Sequence, residues 1–191
     1  MLNKAKIKIA TVAIVAILVS FISTTSLAYY SNIGKATNVV TSGNVKLKIH
    51  ETTDQGTEFP EEGVYVVPGD VISKKVTIEN ICDHPFYLRV KLVSGIDSTE
   101  VTLEDSFKLN INKKYWKLHE DGWYYYKKAV KPEETTKHVF SHVEIVGSKV
   151  DNSYIGKTLT ITVDAQAVQS ENNPLTDGKI YTAKGWPKEG E

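Results

Sequence analysis

Apolar and polar residues alternate with a period of two along much of this sequence. The clearest case is residues 157–169 (KTLTITVDAQAVQ), where every second position is apolar: Leu159, Ile161, Val163, Ala165 and Ala167. Successive side chains of a β-strand point to opposite faces, so this pattern predicts a strand with one buried face. Strands of this kind are typical of antiparallel sheets, which pack one face on a core and expose the other to water.

Shorter runs with the same alternation predict further strands. They cover residues 44–50, 71–81, 86–92 and 139–146. Between the runs, Pro68 and Gly69 fit a type II turn, and Asp121 and Gly122 fit the turn of a β-hairpin. Residues 102–109 leave a short helix or a plain connection open. Many short strands joined by turns predict an all-β fold, specifically an antiparallel two-sheet sandwich.

The beginning of the chain has the composition of a secretory signal peptide. Three lysines within the first eight residues precede an apolar run over 9–22, and small residues, Ser26 and Ala28, occupy the third-last and last positions of the leader. These are the three parts of a cleavable leader. We predict a signal-peptide helix over 1–28, cleavage between Ala28 and Tyr29, and export of the remainder. An uncleaved anchor over 9–30 is the alternative, since roughly 20 apolar residues span a bilayer.

The remaining length is usual for one domain with its own core. The chain has 23 basic and 23 acidic residues without a basic stripe, which argues against a nucleic-acid partner. Cys82 is the only cysteine, so no disulfide can form within the chain. We divide the chain into a signal peptide (1–28), an extended N-terminal segment (29–42), a β-sandwich domain (43–170) and a polar C-terminal tail (171–191).

Nothing in the sequence points to catalysis or to a cofactor. His138 and His142 are four positions apart on a predicted strand, a distance of roughly 13 Å, which is too long for two ligands of one ion. Neither a GxSxG nucleophile motif nor a phosphate-binding glycine loop occurs. We therefore expect no enzyme, no catalytic residue, no cofactor and no metal. The oxygen-rich residues Asp151 and Asn152, and residues 171–173 with Asp177, leave calcium binding open as an alternative.

Four consecutive aromatic residues form a candidate surface for carbohydrate binding. They are Trp123, Tyr124, Tyr125 and Tyr126. Because alternate residues of a strand face opposite sides, we expect two of them in the core and two on the outside. A monomeric cell-wall or glycan-binding surface module is accordingly one alternative function.

An exported all-β domain without catalytic groups points to binding or assembly. Unpaired strand edges accept an extended segment from another chain, which completes the sheet. The newly exposed end, residues 29–41, is extended and low in charge, and we predict that it donates a strand to the next copy. The residues predicted to fill the acceptor are Tyr29, Tyr30, Ile33, Val39 and Val40.

An ordered set of motifs resembles the TasA/camelysin family of proteins exported by Gram-positive bacteria. The motifs are LAYYSN (27–32), TSGNVKL (41–47), PGD (68–70), NICDHPFYLRVKL (80–92), DGWYYY (121–126) and AQAVQ (165–169). The similarity covers nearly the whole chain after the leader. It departs at Pro132 and Glu133, where relatives often have Pro-Gly-Glu, and this affects one turn.

The resemblance implies a jelly-roll-like sandwich, leader removal by a SipW-like signal peptidase, and a place in the extracellular matrix or at the cell surface. Members of the family include biofilm-matrix subunits that polymerise head to tail by donating an N-terminal strand. The implied partners are therefore further copies of the chain, together with other matrix proteins or polysaccharide. Camelysin-like members have been described as cell-surface metalloproteases, a second alternative for which this sequence carries no recognisable zinc motif.

Overall fold

The computed structural model describes residues 31–41, 45–97, 99–101, 107–146 and 157–187. The predicted leader, its cleavage between Ala28 and Tyr29, and Tyr30 lie outside these residues. Within them, the chain forms twelve β-strands and two short 3₁₀ turns, and no α-helix. The part of the chain that the structure describes contains no helix long and apolar enough to cross a membrane.

The strands are short except for three. In chain order they are β1 (Ser31–Thr41), β2 (Leu47–Thr52), β3 (Val64–Val66), β4 (Val71–Ser73), β5 (Lys75–Asn80), β6 (Phe86–Ile96), β7 (Thr99–Val101), β8 (Phe107–Leu109), β9 (Trp116–Leu118), β10 (Tyr124–Tyr126), β11 (His142–Ile145) and β12 (Thr158–Gln169). The 3₁₀ turns are Thr176–Gly178 and Ile180–Thr182.

The main sheet has the strand order β3-β1-β12-β6-β10-β9, and β7 also pairs with β6. Its centre is the antiparallel pair of β12 and β6, whose register runs from Leu159 opposite Ile96 to Gln169 opposite Phe86. The apolar row of β12 that the alternation predicts is fully buried, because it faces the core: Leu159, Ile161, Val163, Ala165 and Ala167 are all 0% exposed. The sequence-based prediction of this strand is confirmed.

A second layer packs against the main sheet. β2 pairs with β5, and β11 pairs with both β4 and β8. Residues 134–141 continue the line of β11 along β5, where the Val139 N–H donates to the Val76 carbonyl at 2.8 Å. Val76 and Ile78 of this layer share one buried cluster with Phe86 and Leu88 of the main sheet. The fold is therefore all-β and sandwich-like, as predicted, with antiparallel pairing everywhere among the described strands except between β1 and β12.

Two turns have the backbone geometry that the sequence indicates. Gly69 and Gly122 have φ angles of 92° and 79°, which glycine adopts without steric cost. The hairpin across Gly122 places Tyr124 opposite Leu118. The open question at 102–109 is answered for its last three residues, which form β8, while 102–106 lie outside the described residues.

The predicted strand over 71–81 is interrupted at Lys74. This lysine side chain is completely buried and forms an ion pair with the equally buried Glu51, with 3.2 Å between Nζ and Oε2. The ammonium group also lies 4.7 Å from the centre of the Phe59 ring. A charged side chain turned inward requires such partners, because an isolated ion in the core costs several kcal/mol.

Candidate functional site

The candidate site is the slot in the main sheet that β1 occupies. β1 lies between β3 and β12. It runs parallel to β12 over ten residue pairs, from Asn32 with Thr158 to Thr41 with Ala167. At its beginning it also pairs with β3 in the antiparallel sense, Asn32 standing opposite Tyr65. Removing β1 would therefore uncover a long edge of β12 and separate β3 from the sheet.

The structure places three of the predicted donor residues in this strand. Ile33 is in register with Leu159, Val39 with Ala165 and Val40 with Gln166. Tyr29 and Tyr30 lie outside the described residues. Within one molecule, then, the N-terminal segment completes its own sheet. Donation of the segment to a neighbour remains a prediction, for which this slot defines the acceptor.

The aromatic run differs from what the sequence suggests. Trp123 is 4% exposed, Tyr125 4% and Tyr126 1%, and Tyr124 is half-buried against the main core. The prediction of an exposed aromatic surface is therefore wrong. Trp123 and Tyr125 do lie on the opposite side of the strand from the core, as the alternation requires. They are buried there because the C-terminal segment, residues 170–187, covers them.

Arg89 of β6 is the centre of this covered face. Its side chain is 8% exposed, and its guanidinium carbon lies 4.2 Å from the ring centre of Trp123 and 4.9 Å from that of Trp186. The guanidinium donates hydrogen bonds to the Gln166 amide oxygen at 2.8 Å and to the Pro187 carbonyl at 2.9 Å. One cation thus joins β6, β12, the hairpin and the C-terminal segment.

Tyr125 and Asp121 extend the same network. Burial, followed by the hydrogen bond from its hydroxyl to Asp121 at 2.7 Å, raises the pKa of Tyr125 to about 12. For Asp121, burial works to raise the pKa, but the hydrogen bonds from Tyr125 and from the Trp123 N–H outweigh it, and the pKa lies below its usual range. These groups hydrogen-bond one another, and the network joins the C-terminal segment to the sheet.

The C-terminal segment is further held by Asn173. Its side-chain amide donates to the carbonyls of Gln169 at 3.0 Å and Lys184 at 2.9 Å, and its side-chain oxygen accepts the Lys184 N–H at 2.8 Å. The side-chain oxygen of Asn173, one of those considered for calcium, therefore accepts a hydrogen bond that joins the two ends of the C-terminal segment. The segment adds a layer of Ile180, Tyr181 and Trp186 to the outer face of the main sheet.

The histidines are dispersed over the fold. His142 Nε2 lies 3.1 Å from Asp54, while His138 lies 3.2 Å from the Asn112 amide. Among the residues that the structure describes, no three His, Cys, Asp or Glu side chains are grouped so that they could hold a metal ion.

Sequence reasoning missed Arg89 and its partners. Arg89 occupies a polar position of an alternating strand, where a solvated side chain is the usual outcome. The sequence does show Trp and Tyr residues near Arg89 in the hairpin and in the C-terminal segment. That these residues pack around Arg89 depends on contacts such as that between Arg89 and Pro187, which lie 98 positions apart. Comparison of this chain with family models, with curated proteins and with solved structures finds no match.

Proposed function

We propose that this chain is an exported structural protein, a subunit of extracellular-matrix fibres that assembles by N-terminal donor-strand exchange. The observation that carries the proposal is the position of β1: an N-terminal strand inserted between β3 and β12, beside ten residues of β12 whose core-facing side chains are fully buried. A neighbour's residues 31–41 could form the same backbone pairs in the same slot.

The position of β1 in the chain makes such an exchange physically simple. Once the leader is removed, β1 has only two further residues before it, so it can leave the slot without threading a loop. Swapping an identical element between copies preserves the local contacts and is therefore a low-cost route to association. Because donor and acceptor are different surfaces, the contact is heterologous, and successive copies extend an open filament.

The resemblance to the TasA/camelysin family supports the finer parts of this proposal. They are a jelly-roll arrangement of the sandwich, leader removal by a SipW-like peptidase, secretion to the matrix or cell surface, and partners that include other matrix proteins or polysaccharide. The proposed role is structural and involves no enzymatic activity. The glycan-binding alternative depended on aromatic residues that are buried, and no observation favours the metalloprotease alternative.

The test compares the chain beginning at Tyr29 with a version beginning at Gly43, which lacks the donor. We expect the longer protein to form fibres in electron micrographs and large species in size-exclusion chromatography. The shorter version should stay unpolymerised and should bind a synthetic peptide of residues 29–41, which fills the slot. A scrambled peptide of the same composition is the control. If both proteins remain monomeric across concentration and pH, the proposal fails.

A further inference from the structure

We propose that the closed monomer is the resting state of this protein and that β3, Val64–Val66, is a clasp whose release controls assembly. The inference rests on the proposed function and concerns its regulation. It follows from the pairing of β1 with the other described strands, which is on both sides at its beginning and on one side elsewhere.

The clasp is attached to the second layer independently of β1. Val66 is 1% exposed, so its side chain is fixed in the core. In the turn after β3, the Val67 N–H donates to the Asp70 carboxylate at 2.8 Å. The Gly69 N–H donates to the Ile145 carbonyl at 2.9 Å, and the Ile145 N–H donates back to Asp70 at 2.8 Å. β3 is therefore held in place to receive β1.

The clasp contacts the end of β1 that is nearest the predicted cleavage point. Ser31, Asn32 and Ile33 pair with β3, whereas the residues from Gly34 to Thr41 pair, among the described strands, with β12 alone. A strand with neighbours on both sides must break two ladders to leave, but an edge strand must break only one. Parallel pairing is also slightly less stable per residue than antiparallel pairing. Opening of the three-residue clasp would thus convert β1 into an edge strand that can peel from β12.

Insertion of β1 into the slot of its own subunit competes directly with insertion of a neighbour's β1 into the same slot. Residues 42–46 join β1 to β2 of the same subunit, and a segment tethered by so short a linker has an effective concentration in the millimolar range. A neighbour's segment at lower concentration therefore loses the competition while the clasp is shut. We expect the assembly rate to be set by opening within each monomer, and to depend only weakly on protein concentration.

A reversible staple, meaning an engineered disulfide between β1 and β3, tests whether release of the clasp controls assembly. In a Cys82→Ser background, Asn32→Cys with Tyr65→Cys joins directly opposite residues of β1 and β3. The Cα atoms of such antiparallel pairs are about 4.5–5.5 Å apart, within the range that a disulfide spans. Tyr65 is 77% exposed, so the change does not enter the core. The matched control, Lys108→Cys with Glu144→Cys, staples β8 to β11 at an equivalent opposite pair.

We expect the oxidised β1–β3 staple to remain monomeric and to form fibres after reduction. The control staple should assemble in both redox states. Assembly of the oxidised β1–β3 staple at the rate of its reduced form would overturn the inference.

Weakening the clasp should have the opposite effect. Tyr65→Gly lowers the strand propensity of β3 without opening the core, and we expect roughly threefold to fivefold faster assembly. Leu118→Gly is the matched control, because Leu118 is 54% exposed on β9, the edge strand at the other side of the same sheet. An unchanged or slower rate for Tyr65→Gly would contradict a controlling clasp.

Hydrogen exchange of residues 31–41 in the monomer reports whether β1 is closed, and fibre formation separates the two proposals. If the unmodified chain never assembles, the proposed function and this regulation both fail, even where protection shows that β1 is closed. If fibres form and the oxidised staple also assembles, the structural function stands and the clasp inference alone is overturned.

Discussion

Replacement of Trp186 by alanine should weaken the attachment of the C-terminal segment to the main sheet and lower stability by a calculable amount. Trp186 lies 4.9 Å from the Arg89 guanidinium carbon and packs edge-on against Tyr125, with 5.5 Å between ring centres. Trp186 thus contacts both Arg89 and Tyr125. Its indole nitrogen is buried and has no hydrogen-bond partner among the described residues.

The magnitude follows from these contacts. A cation–π contact with a desolvated arginine contributes about 1–2 kcal/mol, and an aromatic pair contributes about 0.5–1.5 kcal/mol. Removing a buried N–H that lacks an acceptor returns about 1 kcal/mol, because its desolvation cost disappears. The net loss for Trp186→Ala is therefore about 1.5 kcal/mol. For a chain of this size the loss corresponds to a fall in Tm of roughly 3–6 °C.

The measurement is a pair of unfolding curves, thermal and in urea, for the wild-type protein and the variant. We expect a lower urea midpoint with an unchanged slope, since the same surface unfolds in both proteins. Leu118→Ala, which removes a 54% exposed side chain, serves as the control and should change stability by less than about 0.5 kcal/mol. A Trp186→Ala variant as stable as this control would refute the reasoning that the segment is energetically part of the fold.

Three further substitutions probe the core and its charges. Ile161→Ala creates a cavity at a fully buried site of β12 and should cost about 2–5 kcal/mol in urea unfolding; a loss below 1 kcal/mol would show that β12 is not central. Glu51→Gln removes the carboxylate charge beside the buried Lys74 ammonium and should lower the unfolding free energy by about 3–5 kcal/mol, whereas an unchanged midpoint would contradict the ion pair. Burial, followed by Lys75, holds the pKa of His138 below its usual range. The unfolded chain then binds a proton more readily, so stability should be full above about pH 6.5 and fall as the pH is lowered through that value. Urea midpoints at pH 7.5 and 5.5 should differ less in His138→Gln than in wild type, and equal differences would exclude this histidine.

The parts of the fold that the sequence predicts are those that depend on the pattern of neighbouring residues. The alternation along β12 identified both the strand and its buried face, because the side-chain period of a strand is a property of its own backbone. The hairpin at Gly122 was likewise foreseen, since a tight turn depends on the φ angles of two or three adjacent residues. These features need no knowledge of distant residues.

The features that the sequence does not predict depend on contacts between residues far apart in the chain. The alternation predicts that Trp123 and Tyr125 face away from the core, but that outer face is buried only because the C-terminal segment covers it. The inward turn of Lys74 depends on Glu51 in another strand. The parallel pairing of β1 with β12 joins segments more than a hundred residues apart. A strand's own sequence determines which of its faces is apolar, whereas the choice of what covers each face and each edge is made by residues that only folding brings near.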